Sequence, residues 1–95
     1  MLFALYCLDH PDSDAVRLQN REKHLNFVQD TDVKVKMAGP LMNDDGRMIG
    51  SLLIIEADSM AEAQAFADAD PYQKAGLFAK VEVRPFRQVL PKDDD

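Results

Sequence analysis

The chain opens on eight residues, MLFALYCL, that are apolar at every position, the pattern of a strand covered on both faces. His10-Pro11-Asp12-Ser13 breaks this run, and Asp12 or Ser13 is suited to cap a helix that continues to about residue 31. In that helix Leu18, Leu25 and Val28 fall on one face at helical spacing and predict its core side. Residues 33–41 (VKVKMAGPL) alternate apolar with polar, which predicts a strand with one face buried. Asn43-Asp44-Asp45-Gly46 reads as a turn of the Asp-Gly type, so the strand from Met48 to Glu56 should close a hairpin. Its run Leu52-Leu53-Ile54-Ile55 makes both faces of that strand apolar.

Ser59-Met60-Ala61-Glu62 is a capping box, and it predicts an Ala-rich second helix with Phe66, ending near Ala69. Asp70-Pro71 predicts a further short helical turn, with Asp at the N-cap and Pro at the first helical position, closed by Gly76. Residues 77–86 alternate again, Leu77, Ala79, Val81 and Val83 against Lys80, Glu82 and Arg84, with Phe78 and Phe86 flanking the polar side. Residues 1–90 therefore make one domain, and residues 91–95, Pro-Lys followed by three Asp, are expected to form an acidic disordered tail.

The predicted order is βαββαβ, an α+β arrangement of the ferredoxin-like type. Two helices cover only one face of such a sheet, yet two of its strands are apolar on both. A second copy of the chain packed sheet to sheet is the economical cover, so a homodimer is expected.

Composition adds exclusions. A net charge of -6 sets nucleic acid and anionic membrane surfaces against the chain as partners. The eight-residue apolar start is too short to span a membrane and lacks the flanks of a signal peptide, and with one cysteine, Cys7, the expected address is the cytoplasm. Cys7, in a strand with no basic neighbour in sequence, reads as an inert core thiol, and His10, beside Pro11, as a surface residue. Two histidines fourteen residues apart, one cysteine and scattered carboxylates give no metal-ligand spacing. Nor is there a Gly-rich phosphate loop or a serine nucleophile elbow, so no cofactor is expected and a small molecule is the expected ligand.

On a helical wheel at about 100° per residue, Arg21 lies within the arc of Leu18, Leu25 and Val28, with His24 and Arg17 together on its flank. Cationic side chains thus edge a stripe expected to be buried. Arginines at such positions also pack by their stems alone. His24 reads equally as a partly buried structural histidine or as a proton-transfer group. Asp70 is already accounted for as a helix cap, though its carboxylate can accept from a histidine as well. Tyr72 either packs in the core or walls a pocket, and Ser51, in an apolar strand beside Gly50, needs a partner, either a backbone group or a ligand.

Particular segments carry a family resemblance. Arg21-Glu22-Lys23-His24-Leu25-Asn26-Phe27, Gly39-Pro40-Leu41, Gly50-Ser51, Asp70-Pro71-Tyr72, Ala75-Gly76-Leu77 and Val83-Arg84-Pro85-Phe86, in that order and spacing, resemble the YCII-related proteins over roughly residues 1 to 88. The resemblance implies a ferredoxin-like fold of the dimeric α+β barrel type and a site containing His24 and Asp70. Its nearest precedent is a dehydrochlorinase acting on a chlorinated hydroxyhydroquinone.

The reading that follows is a cofactor-independent enzyme using His24 and Asp70 for general acid/base chemistry, an elimination or isomerisation. Its substrate is small, anionic, and aromatic or enolisable. Arg17 and Arg21 would hold the substrate's charge while Ser51 and Tyr72 shape the pocket. Two alternatives stand beside it: a non-catalytic ligand-binding or stress-response dimer with the same pocket, and a partner module presenting Phe78 or Phe86 to another protein.

Overall fold

In the computed structural model, which describes residues 1–92, the apolar N-terminal run becomes an inner strand, β1 (Leu2–Asp9). Two further strands flank it antiparallel, β3 (Met48–Glu56) and β4 (Phe78–Phe86), and β2 (Lys34–Met42) completes the sheet in the order β2-β3-β1-β4. A long helix α1 (Asp14–Asp30) follows β1; α2 (Met60–Ala69) and a single turn α3 (Pro71–Lys74) lie between β3 and β4. This is the α+β, ferredoxin-like βαββαβ order with α3 added. No helix of the described residues is long and apolar enough to cross a membrane. Of the expected acidic tail, Asp93–Asp95 lie outside the described residues.

Register builds the core. Phe3, Leu5 and Cys7 of β1 stand opposite Ile55, Leu53 and Ser51 of β3, and opposite Pro85, Val83 and Val81 of β4, so these residues share the face under the helices. Ala63, Phe66 and Ala67 of α2 close over them, and Phe27 of α1 packs on Phe66 with ring centroids 4.9 Å apart. Each fully buried Leu or Phe contributes about 1.5–3 kcal/mol relative to an exposed one. The opposite face carries Ala4, Tyr6, Leu52 and Ile54, joined by Met37 of β2. Its β4 edge holds Glu82 with Lys80 and Arg84 each 3.6 Å away.

Three expectations are corrected. The strands do not alternate without interruption: the cross-strand register shifts at Lys36, Ile49 and Ala79. The shift at Lys36 turns Ala38 and Pro40, rather than Met37 and Gly39, to the helix side, and β2 as an edge strand is largely exposed. The shift at Ala79 turns Phe78 inward, where it is buried, so of the pair offered as an exposed contact only Phe86 is exposed. The third correction is the inner face of α1. Leu18 is 74% exposed and Leu25 is 38% exposed, while Arg17 and His24 are the helix's buried residues. The wheel was phased on leucines. Carboxylate partners on β1 and at Asp70 draw the polar row in instead.

Local signals elsewhere hold. Ser59 accepts from the Glu62 amide at 3.1 Å, Asp70 caps α3, and Gly46 and Gly76 take positive φ at their turns. Ser13 stands at the N-cap of α1, but its hydroxyl makes no cap bond and donates to the Pro11 carbonyl.

Two predictions concern the β1–β3 seam. A Cβ on Gly50 would lie 2.3 Å from the Cys7 carbonyl oxygen, a backbone atom that cannot move aside alone. Gly50→Ala should therefore cost about 1–3 kcal/mol in urea unfolding, and an unchanged midpoint would refute the close approach. Burial pushes the Cys7 thiol up to about 12. Above pH 9 the unfolded chain loses a proton that the folded chain keeps, so stability falls with rising pH by up to about 1.4 kcal/mol per unit until the folded thiol titrates. Cys7→Val should flatten that alkaline slope in stability measured from pH 8 to 11.

Candidate functional site

Asp70 shows how local folding makes a site. Its backbone φ of -60° and ψ of 127° end α2, and the carboxylate Oδ1 then accepts from the Tyr72 amide at 2.9 Å to start α3. The same Oδ1 lies 2.9 Å from His24 Nδ1, and both side chains are buried. A capping carboxylate held by a backbone amide is a fixed partner, and it directs the imidazole's Nδ1 hydrogen toward itself. In the neutral imidazole this makes Nε2 the acceptor nitrogen.

Pro71 at the start of α3 and the Leu77 amide, which donates to the Tyr72 carbonyl at 3.1 Å, hold Tyr72 in place. The Tyr72 ring stacks on His24 with centroids 4.1 Å apart and planes 13° from parallel, and meets the edge of Phe78 at 6.0 Å. Arg17 Cζ lies 4.7 Å from the centre of the same ring. Burial raises the Tyr72 phenol above its ordinary pKa, with Arg17 and Arg21 opposing. Both readings of Tyr72 therefore hold at once: it is core, and it forms one wall of a pocket.

One helical row carries a second polar cluster. Arg17 donates from Nε to Asp9 Oδ2 at 2.8 Å and from Nη2 to Asp9 Oδ1 at 2.9 Å, and Nη2 donates also to Ser51 Oγ at 3.0 Å. Burial works against the charge on Arg17, but the hydrogen bonds and charge of Asp9 outweigh it and raise the guanidinium pKa. Ser51 thus finds its partner in an arginine side chain, where a backbone group or a ligand was expected.

Between α1 and the β2–β3 hairpin these groups bound a pocket of about 160 Å³. Arg17, Arg21, His24, Ser51 and Tyr72 all line it, with Leu25, Val28, Ala38, Gly39, Pro40 and Met48 as apolar wall. A cavity of about 150 Å³ holds a benzene ring, so one six-membered ring is the scale of ligand it admits. Asp70 is not a lining residue and reaches the pocket only through His24. A hollow of about 180 Å³ beside it, between residues 9–14 and the hairpin end, contains neither His24 nor Tyr72.

All six residues singled out from sequence are therefore in one neighbourhood, but with different surroundings. Arg17 and His24 are buried, while Arg21 is exposed at the pocket and makes no ion pair among the described residues. Asp9 was missed. Its only signal was a carboxylate closing an apolar strand, eight positions before an arginine on the next helix. Met48 was missed too, because the register shift at Ile49 is what sets the phase of that strand end.

Comparison with known proteins shows the family. Residues 1–87 match the YCII-related domain. The chain is 40% identical to protein YciI of Escherichia coli O6:H1, across 95% of this chain and 100% of that one, and 30% identical to an uncharacterized protein of Haemophilus influenzae with the same coverage. Among solved structures it is similar to 5-chloro-2-hydroxyhydroquinone dehydrochlorinase (TftG) from Burkholderia phenoliruptrix AC1100, in complex with 2,5-dihydroxybenzoquinone. The TM-score is 0.83 and the identity 39%, over 92% of this chain and 94% of that one. A NIPSNAP domain protein from Burkholderia xenovorans shares the fold at 14% identity and TM-score 0.53, covering 98% of this chain and all of that one.

The Asp9–Arg17 pair has a stability signature. Asp9→Ala leaves a guanidinium buried without its carboxylate and should cost about 3–5 kcal/mol. Adding Arg17→Met should recover most of that loss, because an apolar side chain of similar length needs no partner. Urea unfolding of the single and double variants decides it; a double variant no better than Asp9→Ala would refute the burial argument.

Proposed function

The chain belongs to the YCII-related family, and on that footing we propose that it is a dehydrochlorinase-like enzyme whose general base is His24, oriented by Asp70. The observation that carries this is the 2.9 Å contact between His24 Nδ1 and Asp70 Oδ1, which leaves Nε2 free in a pocket of one-ring size. Similarity to a dehydrochlorinase crystallised with a dihydroxybenzoquinone supports a six-membered ring bearing oxygens as the substrate class.

In the reaction proposed, the ring reacts as its keto tautomer, in which the chlorine-bearing carbon is saturated, and Nε2 of His24 removes the proton of a conjugated ring hydroxyl. That oxygen becomes a carbonyl, the ring double bond shifts to the chlorine-bearing carbon, and chloride leaves with the electrons of the C–Cl bond. The products are the unsaturated ring, chloride ion and a proton on His24, which passes to solvent. Asp70 keeps the Nδ1 hydrogen in place and steadies the imidazolium as it forms. Arg21 supplies positive charge toward an anionic ring oxygen, and Arg17, Ser51 and Tyr72 shape the space around the ring.

The working unit in this proposal is a homodimer in the cytoplasm. The sheet face away from the helices supports it: Tyr6 is 39% exposed and Met37 is 63% exposed there, beside Ala4, Leu52 and Ile54. A second copy packed sheet to sheet would cover that strip. A lone buried thiol fits a reducing compartment.

The test is turnover of chlorinated hydroxyhydroquinones, followed by chloride release, with wild type, His24→Ala and Asp70→Asn. His24→Ala should lower kcat by about 10²–10⁴-fold while fold and dimer persist. Asp70→Asn should also lower kcat, because an asparagine amide can donate to Nδ1 and move the hydrogen to Nε2. Turnover unaffected by His24→Ala would overturn the mechanism. Tight binding of such rings with no chloride released would establish the non-catalytic ligand-binding dimer instead.

A further inference from the structure

The Asp9–Arg17–Ser51 cluster sits at one end of the pocket and His24 lines the same space, yet general acid/base chemistry does not call on the cluster. Its hydrogen-bond direction is fixed. Arg17 has only donors, so Ser51 Oγ is the acceptor in their 3.0 Å contact. Asp9 occupies two guanidinium donors, Nε and Nη2, in the fork geometry of a bidentate pair. Ser51 is 3% exposed, and among the described residues its hydroxyl donates to no acceptor. A buried hydroxyl that accepts from Arg17 still has its proton to give, and the space beside it is the pocket.

Charge points the same way. Asp9 neutralises Arg17 locally, and the pair is buried, with side chains about 7% exposed. A second carboxylate brought to Ser51 would place two buried anions on one guanidinium, with solvent excluded. A neutral carbonyl oxygen would take the Ser51 proton without that conflict. Of the two arginines lining the pocket, Arg21 makes no ion pair among the described residues and is exposed one helical turn along from Arg17.

We propose that Asp9 is a positioning residue which, by engaging Arg17, holds Ser51 as acceptor toward Arg17 and donor toward the pocket, and so selects ring substrates carrying a neutral carbonyl oxygen at that end, with the anionic oxygen placed toward Arg21. This deepens the reading of the site as a one-ring pocket and rests on it. The division of labour assigns Arg17 to Ser51 and leaves the substrate's charge to Arg21.

Two probes differ at the decisive group alone. 4-Hydroxyacetophenone and 4-hydroxybenzoate share a phenol and a ring, and carry an acetyl carbonyl or a carboxylate at the same position. By calorimetry, wild type should bind the ketone about tenfold more tightly than the acid, the order of one hydrogen bond and one avoided charge conflict. Ser51→Ala should weaken ketone binding by roughly three- to tenfold and leave the acid nearly unaffected. Asp9→Asn, which keeps an acceptor for Arg17 and removes the charge, should raise affinity for the acid and close or reverse the preference. A merely structural Asp9 would weaken both probes together. Arg21→Gln should weaken both probes as their phenols ionise at alkaline pH.

Equal affinity for the two probes in wild type, or a ketone preference that survives Ser51→Ala, overturns this inference and leaves the proton-transfer reading in place. If neither probe binds while chlorinated rings are turned over, the selection rule is wrong and the enzyme reading stands. If no ring compound binds at all, the pocket reading fails and this inference with it.

Discussion

A buried charge must meet its partner inside the protein, and that constraint organises the α1 side of this molecule. Arg17 and His24 project from one row of α1 into the interior, seven residues apart, and each ends on a carboxylate from a different element. Asp9 closes β1 and Asp70 opens α3, so the helix is held to the sheet at one point and to the α2–α3 junction at the other. An apolar helix could slide or turn on a greasy surface at small cost. Two directional contacts spaced about two turns apart leave α1 a single rotation about its axis.

That rotation explains what could be read from the amino acids and what could not. The order of elements, the Ser59 cap, the Asp70-Pro71 start and the glycine turns were legible, because each is set by chemistry within four or five residues. The face of α1 was not. Leu18, Leu25 and Val28 are the helix's regular aliphatic positions, and a wheel phased on them misplaces the core by most of a quadrant. Only the partners Asp9 and Asp70, distant in sequence, reveal that the polar row is the buried one. The three register shifts were not legible for a related reason, since an extra residue in a strand answers to its neighbours' hydrogen bonds and leaves no trace in alternation. His24 and Asp70 were legible as a pair mainly through the family resemblance, and Arg17, Arg21, Ser51 and Tyr72 as polar or aromatic side chains beside an expected core, whereas Asp9 looked like the end of a strand.

The register shifts are also what complete the pocket. With unbroken alternation Met37 and Gly39 would face the helices; the extra residue at Lys36 puts Ala38 and Pro40 there. Both are small or flat, and they leave room opposite Tyr72. The shift at Ile49 brings Met48 round to the same side, a flexible apolar side chain at the pocket's open edge. Shifts of this kind re-aim side chains next to functional sites in many sheets, and here they carve the one space that His24 and Ser51 share.

Asp70 has two duties that cannot be separated. As a cap it stabilises the start of α3 by about 1 kcal/mol, and as an acceptor it orients His24, through the same oxygen, Oδ1. The cap is thereby the source of precision: the Tyr72 amide fixes the oxygen, the oxygen fixes the imidazole, and the Tyr72 ring stacks on the imidazole it has helped to place. A four-residue helix is too short to be stable on its own account, and here it works as a bracket between α2 and β4 that returns one side chain to the other's face. Folding and site assembly are consequently one event in this domain, and the structural explanation of Asp70 and the chemical one describe the same contact.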